Sequence, residues 1–346
     1  TCALPISAAG LSVAAFLLPA PSLAAAPESS RPGPSAPPTR EAADDTYYAG
    51  YWSMLGPYGV LGGMDASANA MVTWQGGLYA AGTIGSYSGS PNSCFGANQY
   101  SYPPCIAEWS GGAWTSPGGG LNNNVNALAA SDDTLYAGGI FDGTGSQGMF
   151  GCSQAASWGR FLACIGAWNG STWSPLGEGL NNTVNALTIS GDAVVAGGQL
   201  SGSGSGTGLN YVAAFADDTW SPLGTGTNNA VYALATGTNG TLYAGGTFTN
   251  AGGGADDSYI AAWNGTVWSP LGAGMNGTVN ALVTGTNGTL YAGGAFTTPG
   301  NHIATWNGTA WSALGGGKAA AVNAIALDSA RGLVYAGGGE IGRAHV

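Results

Sequence analysis

The chain is poor in charge: only 7% of its 346 residues are Asp, Glu, Lys or Arg. Its 6 basic residues are outnumbered by 17 acidic ones, which gives a formal net charge of −11. Proteins that bind nucleic acid through its phosphates need clustered Lys and Arg. Between residues 47 and 339 the basic side chains are Arg160, Lys318 and Arg331, which lie far apart in the sequence. The composition therefore argues against a nucleic-acid partner.

Histidine is almost absent, with 2 residues in the chain, His302 and His345. Hydrolases of the Ser-His-Asp or Cys-His type need a His, and a copper site of the galactose-oxidase kind needs two. A cluster of arginines that could bind a carboxylate is also missing from the repeat region. We therefore predict no catalytic residue and no metal site, with calcium left open as a cofactor at the Asp pairs 132–133, 217–218 and 256–257. His302 precedes a predicted strand, which favours a packing role.

Glycine, by contrast, is abundant at 63 residues, and it separates short apolar runs. In the stretch 259–297 four such runs occupy residues 260–263, 267–271, 279–283 and 290–294. The pairs Asn264-Gly265 and Asn287-Gly288 lie between runs, and Asn-Gly is typical of a two-residue type I′ hairpin turn. The stretch therefore predicts a small antiparallel meander of four strands.

This unit recurs along the chain. The second Trp of its hairpin returns at intervals of 43 to 62 residues, at Trp52, Trp114, Trp173, Trp220, Trp268 and Trp311. A four-stranded unit repeating at this length is typical of β-propeller blades. We expect an all-β fold with full blades at 69–117, 125–176, 184–223, 231–271 and 279–314. Half-blades at 47–56 and 322–338 would pair to complete a six-bladed propeller, and a truncated seven-bladed propeller is the alternative.

The repeats resemble those of the kelch-type β-propeller family, closest to secreted bacterial and fungal surface proteins with a LYAGGxFT…IAxWNGxxWSxLG pattern. The resemblance covers residues 47–339, although the basic residue usual in kelch strands is missing. It implies that the Val-x-Ala-Leu strand is innermost in each blade and the Trp-Ser-Pro-Leu-Gly strand outermost. Pro175, Pro222 and Pro270 agree with this order, because proline is tolerated at a sheet edge. The Gly-Gly pairs are expected to allow close backbone approach.

The segments outside the repeats indicate export. Residues 1–7 and 340–346 match translations of a sequencing-adapter stem, so we interpret both as adapter or assembly scars. Residues 8–26 are typical of a partial signal peptide, too short to span a bilayer. Residues 27–46 form a Pro-rich linker. We therefore expect a secreted protein, extracellular or periplasmic, that is a monomer without a transmembrane span.

Four cysteines bracket two insertions between the second and third strands of neighbouring repeats. Cys94 and Cys105 enclose the first insertion, and Cys152 and Cys164 enclose the second. In an exported protein this placement predicts two local disulfides, one for each insertion. A metal site is the alternative, but the spacing typical of zinc ligands is absent. Later repeats have Tyr211, Tyr259 and His302 at the position of the second Cys.

Two features near these insertions suggest a binding surface. The insertions carry aromatic residues that we expect to be exposed, and Tyr100, Tyr102 and Trp158 are the predicted ligand contacts among them. Asn123 and Asn182, in the adjacent Asn-rich loops, are predicted to contribute as well. Flat apolar rings beside neutral amides suit sugars or peptides, so the expected partner is a glycan or an extracellular protein. Loop cores formed by the same aromatics are the structural alternative. The functional alternative is a carbohydrate-active enzyme using scattered acids such as Asp65, Asp142 and Glu178.

Overall fold

A computed structural model describes residues 68–82, 105–109, 114–141, 143–144, 148–149, 165–203, 208–253, 258–339 and 342–345. These residues form a β-propeller of five four-stranded antiparallel blades, followed by a three-stranded sheet, and a small two-stranded ribbon is inserted in the second blade. Within the described ranges the helical structure is a single 3-10 turn at Pro117–Gly119. The first strands of successive blades pack against one another, which agrees with their expected innermost position.

Each blade takes its four strands in chain order. The first blade contains β1 (Ala68–Trp74), β2 (Gly77–Gly82), β3 (Ile106–Trp109) and β4 (Trp114–Thr115). The second contains β5 (Val125–Ala130), β6 (Leu135–Gly139), β9 (Ile165–Trp168) and β10 (Trp173–Pro175), with the ribbon β7 (Gly143–Thr144) and β8 (Gly148–Met149) between β6 and β9. The third contains β11 (Val184–Ser190), β12 (Ala193–Gly198), β13 (Val212–Ala216) and β14 (Thr219–Pro222).

The last two blades and the final sheet follow the same order. The fourth blade contains β15 (Val231–Thr236), β16 (Leu242–Gly246), β17 (Ile260–Trp263) and β18 (Trp268–Pro270). The fifth contains β19 (Val279–Thr284), β20 (Leu290–Gly294), β21 (Ile303–Trp306) and β22 (Trp311–Ala313). The final sheet contains β23 (Val322–Asp328), β24 (Leu333–Gly338) and β25 (Gly342–His345).

The number of blades differs from the sequence-based expectation. The six-bladed prediction is wrong, as is the seven-bladed alternative, because the described chain forms five four-stranded blades. The predicted sixth blade required the edge of β24 to pair with residues 47–56, which lie outside the described residues. In the structure β24 pairs with β25, which lies within the segment 340–346 interpreted above as an adapter or assembly scar. Only residues 339–341 join these strands, and the loss of chain entropy on closing so short a connection is small.

The hydrophobic core lies between neighbouring blades. Each core cluster combines strands from two successive sheets, as Val184 and Leu200 of the third blade pack with Ile165 of the second. Indole groups link blades in the same way: Nε1 of Trp220 donates to the carbonyl oxygen of Leu176 at 3.0 Å. Equivalent bonds join Trp173 to Pro117, Trp268 to Leu223 and Trp311 to Leu271. The repeated Trp residues are therefore part of the scaffold.

The hairpins occur where the sequence predicts them, but the turn type differs. Asn264-Gly265 lies in a four-residue loop between Trp263 and Trp268, which pair directly. Oδ1 of Asn264 accepts hydrogen bonds from the backbone N–H groups of Thr266 and Val267, at 3.0 and 2.9 Å. The type I′ prediction is therefore wrong here, because the asparagine side chain organises the loop and its own φ is not left-handed. Left-handed residue pairs occur instead at 75–76 and 217–218.

Among the helices of the described residues, none is long and apolar enough to cross a membrane.

Candidate functional site

One face of the propeller carries the longer connections. In each antiparallel blade the second and fourth strands end at the same face of the propeller. The loops from strand two to strand three and from strand four to the next blade therefore emerge on that face, which we call the upper face. In the third, fourth and fifth blades its loops are held by an asparagine. Oδ1 of Asn181 accepts the N–H groups of Ser201 and Gly202, at 3.0 and 2.9 Å, and its Nδ2 donates to Oγ of Ser201. We call this set of three bonds the amide clasp.

The amide clasp recurs in the next two blades. Asn228 holds residues 249–250, and Asn276 holds residues 297–298, in each case through two backbone N–H groups and one threonine hydroxyl. Asn181, Asn228 and Asn276 are therefore committed to the fold. Ligand contacts must come from other side chains of these loops.

A second repeated position lies just before the third strand. The carbonyl oxygens of Cys105, Tyr211, Tyr259 and His302 each accept the N–H of the last glycine in the preceding strand, at 2.9 to 3.0 Å. This confirms that the four residues are equivalent. Tyr211, Tyr259 and His302 have φ of 70°, 66° and 71°, a conformation that is costly for bulky residues. Their backbone N–H groups are each hydrogen-bonded, at 2.8 to 2.9 Å, which holds them there.

A pocket of about 430 Å³ opens on the upper face between the third and fourth blades. Its lining is uncharged and consists of side-chain amides, one serine, two tyrosines and two apolar residues. The lining residues are Asn182, Gln199, Leu200, Ser201, Asn210, Tyr211, Asn229, Ala230 and Tyr232. We call it the uncharged pocket.

Several polar groups of this lining are free to meet a ligand. Oδ1 of Asn182 accepts the N–H of Thr183, and Oδ1 of Asn229 accepts that of Ala230, both at 2.8 Å. Neither Nδ2 group makes a hydrogen bond with a residue that the structure describes, and the same holds for the side chains of Gln199, Tyr211 and Tyr232. The pocket thus offers amide and hydroxyl groups together with two aromatic rings.

The predicted ligand contacts fall in different places. Asn182 lines the uncharged pocket, whereas Asn123 does not and binds the N–H of Asn124 through its Oδ1 at 2.8 Å. Tyr100, Tyr102 and Trp158 lie outside the described residues. Their role as ligand contacts therefore stays a prediction.

The cysteines and acidic residues can be placed only in part. Cys105 is fully buried and takes part in a disulfide, while Cys94, Cys152 and Cys164 lie outside the described residues, so the predicted pairing stays a prediction. Of the acids named for an enzyme, Glu178 is exposed in the β10–β11 connection, and Asp65 and Asp142 are not described. Within the described ranges no group of three or more His, Cys, Asp or Glu is arranged to hold a metal.

Sequence reasoning missed most of the pocket. The sequence did contain a signal for Tyr232: in the Val-x-Ala-Leu strand that begins at Val231, a tyrosine stands where the other repeats have asparagine. Gln199 follows its Gly-Gly pair where other repeats have Ile140, Thr247 or Ala295. Neither departure shows by itself that the two residues line one pocket across a blade boundary, because that arrangement depends on the packing of successive blades.

Comparison with known proteins supports the fold. No known protein-family model matches the chain, and no curated protein sequence matches it. Among solved structures, the chain is similar to the extracellular domain of a protein from B. thetaiotaomicron described as a one component system, with a TM-score of 0.53 and 12% identity. That match covers 84% of this chain but 34% of the other, so this chain spans about a third of its length.

Two further structures show the same kind of likeness. A chain of the Mitotic Checkpoint Complex matches with a TM-score of 0.51 and 14% identity, covering 90% of this chain and 96% of that one. The computationally designed Ika8 protein matches with a TM-score of 0.47 and 19% identity, covering 80% of this chain and 69% of that one. At identities of 12% and 14%, the two matches with TM-scores above 0.5 concern the fold alone.

Proposed function

We propose that this chain is an exported recognition module that binds a neutral glycan in the uncharged pocket. The observation that carries the proposal is the lining: two tyrosines, free amide groups and no charged side chain. Sugars present hydroxyl groups at their edges and apolar C–H groups on their ring faces, which amides and aromatic rings respectively complement. The signal-peptide-like residues 8–26 support export, and one propeller of similar fold is itself an extracellular domain.

The test is a binding screen with the full chain on arrays of neutral oligosaccharides, acidic oligosaccharides and peptides. We expect capture of neutral oligosaccharides. Because no Asp, Glu, Lys, Arg or His lines the pocket, affinity should change little between about 0.1 and 1 M salt, a range over which exposed charge interactions are strongly screened. Capture of acidic oligosaccharides alone, or a steep loss of affinity with salt, would contradict the proposal.

The same samples separate recognition from catalysis. With no carboxylate among the lining residues, the captured oligosaccharide should be recovered at its original length. Shortened chains, detected by mass spectrometry after long incubation, would instead support the carbohydrate-active enzyme. Selective capture of peptides would favour an extracellular protein as the partner.

A further inference from the structure

The first strands are linked from blade to blade by one repeated asparagine. Every first strand has a β-bulge next to its first paired residue, and the bulged residue is Asn69, Asn126, Asn185, Tyr232, Asn280 or Asn323. A bulge places an unpaired residue in the ladder and redirects its side chain. In this protein the redirected amide reaches the next blade. We call the resulting series of bonds the asparagine chain.

The bonds of the asparagine chain all have the same form. Nδ2 of four of these asparagines donates to the carbonyl oxygen of the valine that precedes the bulge in the next sheet. The bonds run from Asn69 to Val125, from Asn126 to Val184, from Asn185 to Val231 and from Asn280 to Val322, at 3.2, 3.1, 3.3 and 3.4 Å. Such a series fixes the relative positions of the blades.

The asparagine chain is interrupted once, at Tyr232. No hydrogen bond from this residue to Val279 replaces the missing one, and its hydroxyl has no partner among the described residues. Tyr232 instead lines the uncharged pocket. Among the bulged residues of the five blades, the one that makes no bond to the next blade thus lines the uncharged pocket.

A second position in the uncharged pocket also departs from the repeat. Gln199 stands where the next two blades have Thr247 and Ala295, an equivalence shown by the bonds of their N–H groups to the carbonyls of residues 183, 230 and 278. Asn229 keeps the asparagine that the earlier repeats have at Asn123 and Asn182, whereas the next blade has Gly277. The boundary between the fourth and fifth blades therefore lacks the equivalents of Gln199, Asn229 and Tyr232, although it shares the same backbone plan.

We infer that Tyr232 is the specificity-determining contact of the pocket, with its ring packed on the apolar face of a sugar ring. The amides of Gln199, Asn182 and Asn229 surround it and take the sugar hydroxyl groups. This inference rests on the proposed function, since it assigns the contact within the same pocket. It also explains why the bond from the fourth blade to Val279 of the fifth is absent: the side chain of Tyr232 lines the pocket on the side of the third blade and serves the ligand there.

The repeat itself supplies the test. Tyr232→Asn restores the residue found at the equivalent bulges, so the variant should keep or raise the thermal midpoint, while its affinity for a captured neutral oligosaccharide falls at least about tenfold, as for aromatic contacts central to an interface. Tyr232→Phe keeps the ring and should stay within about threefold of the unsubstituted protein. Binding is measured by titration calorimetry and stability by thermal melts.

A matched control changes the same bulge elsewhere. Asn280→Tyr removes one bond of the asparagine chain away from the pocket, so it should lower the thermal midpoint and leave oligosaccharide affinity unchanged. Undiminished binding by Tyr232→Asn would overturn the assignment, as would a lower midpoint for that variant, which would show a packing role. Equal losses in Tyr232→Phe and Tyr232→Asn would overturn ring packing. If the unsubstituted protein captures no neutral oligosaccharide, the proposed function itself fails.

Discussion

The second glycine of each Gly-Gly pair has no room for a side chain. A Cβ atom at Gly294 would lie 2.0 Å from the carbonyl oxygen of Thr278, and Gly198 and Gly246 meet backbone oxygens at 2.0 and 2.1 Å. The first glycine is less restricted: at Gly293 the nearest atom is a side-chain methyl of Val322 at 2.5 Å. The expected close backbone approach is confirmed, and it applies most strictly to the second position.

Replacing these glycines should give a graded loss of stability. Gly294→Ala forces backbone apart and should reduce the free energy of unfolding by about 3 kcal/mol or more. Gly293→Ala should cost less, because a valine methyl can move and because Ala81 occupies the equivalent position in the first blade. Urea unfolding measures both values.

The control for this pair is Gly316→Ala, where a Cβ would meet nothing within 4 Å. That variant should remain within about 0.5 kcal/mol of the parent protein. Equal stability of Gly294→Ala and Gly316→Ala would refute the steric explanation.

Among the elements, the upper-face loops depend on the amide clasp. In the fifth blade, Asn276 accepts the N–H groups of Thr297 and Thr298, at 2.8 and 2.9 Å. Asn276→Ala should expose these N–H groups to exchange and cost about 1 kcal/mol, because water replaces the lost bonds at an exposed site. Hydrogen exchange should therefore accelerate at residues 297–298 while the amides of β20 keep their protection.

Asn287→Ala provides the comparison, since it removes an exposed amide in the β19–β20 turn on the opposite face, where its Oδ1 accepts the N–H of Thr289. Exchange at residues 297–298 should not respond to that change. Similar acceleration in both variants would mean that the loop is held by something other than the amide clasp.

The strand boundaries could be predicted closely, because each depends on a pattern that recurs within one repeat. Trp263 and Trp268 mark a hairpin wherever the pair occurs, and the Gly-Gly pair marks the end of a second strand. Turn conformation could not be predicted from Asn-Gly alone, because Oδ1 of Asn264 can bind two backbone N–H groups and so stabilise a longer loop.

Blade number and pocket position depend on contacts between repeats, which the repeat pattern does not encode. The sequence indicates that β24 needs a third strand but not which segment supplies it. Likewise, Asn182 could be chosen from its Asn-rich loop, whereas its meeting with Tyr232 required knowledge of how successive blades pack. The tyrosine at position 232, where other repeats have asparagine, was visible in the sequence. Its significance is clear only once Asn185 and Asn280 are seen to bond to the next blade.

At the scale of the whole molecule, buried tyrosines should limit stability in alkali. Burial raises the pKa of Tyr79, Tyr243 and Tyr291, and the negative charge of Glu108 raises that of Tyr79 further. Because each folded-state pKa lies above the unfolded value of about 10, folding favours the protonated form. This contribution is fully present below the unfolded pKa and is lost as the pH rises towards the folded values.

The thermal midpoint should therefore fall between about pH 9 and pH 12, and tyrosinate absorbance should rise together with the loss of circular dichroism. Tyr291→Phe removes one such group, so its midpoint should fall less over the same range than that of the parent protein. A Tyr291→Phe variant with an unchanged pH dependence would assign the effect to the general repulsion of a chain with net charge −11.

Each complete blade draws its strands from one uninterrupted stretch of chain, while the core lies between successive blades. During synthesis, a blade can form its own backbone hydrogen bonds as soon as its fourth strand leaves the ribosome. Its apolar flank stays exposed until the next blade has been synthesised and packs against it. The nascent chain thus always presents one uncovered flank at its growing end. For this protein, the vulnerable interval of translation is about one repeat long and moves along the chain with the ribosome.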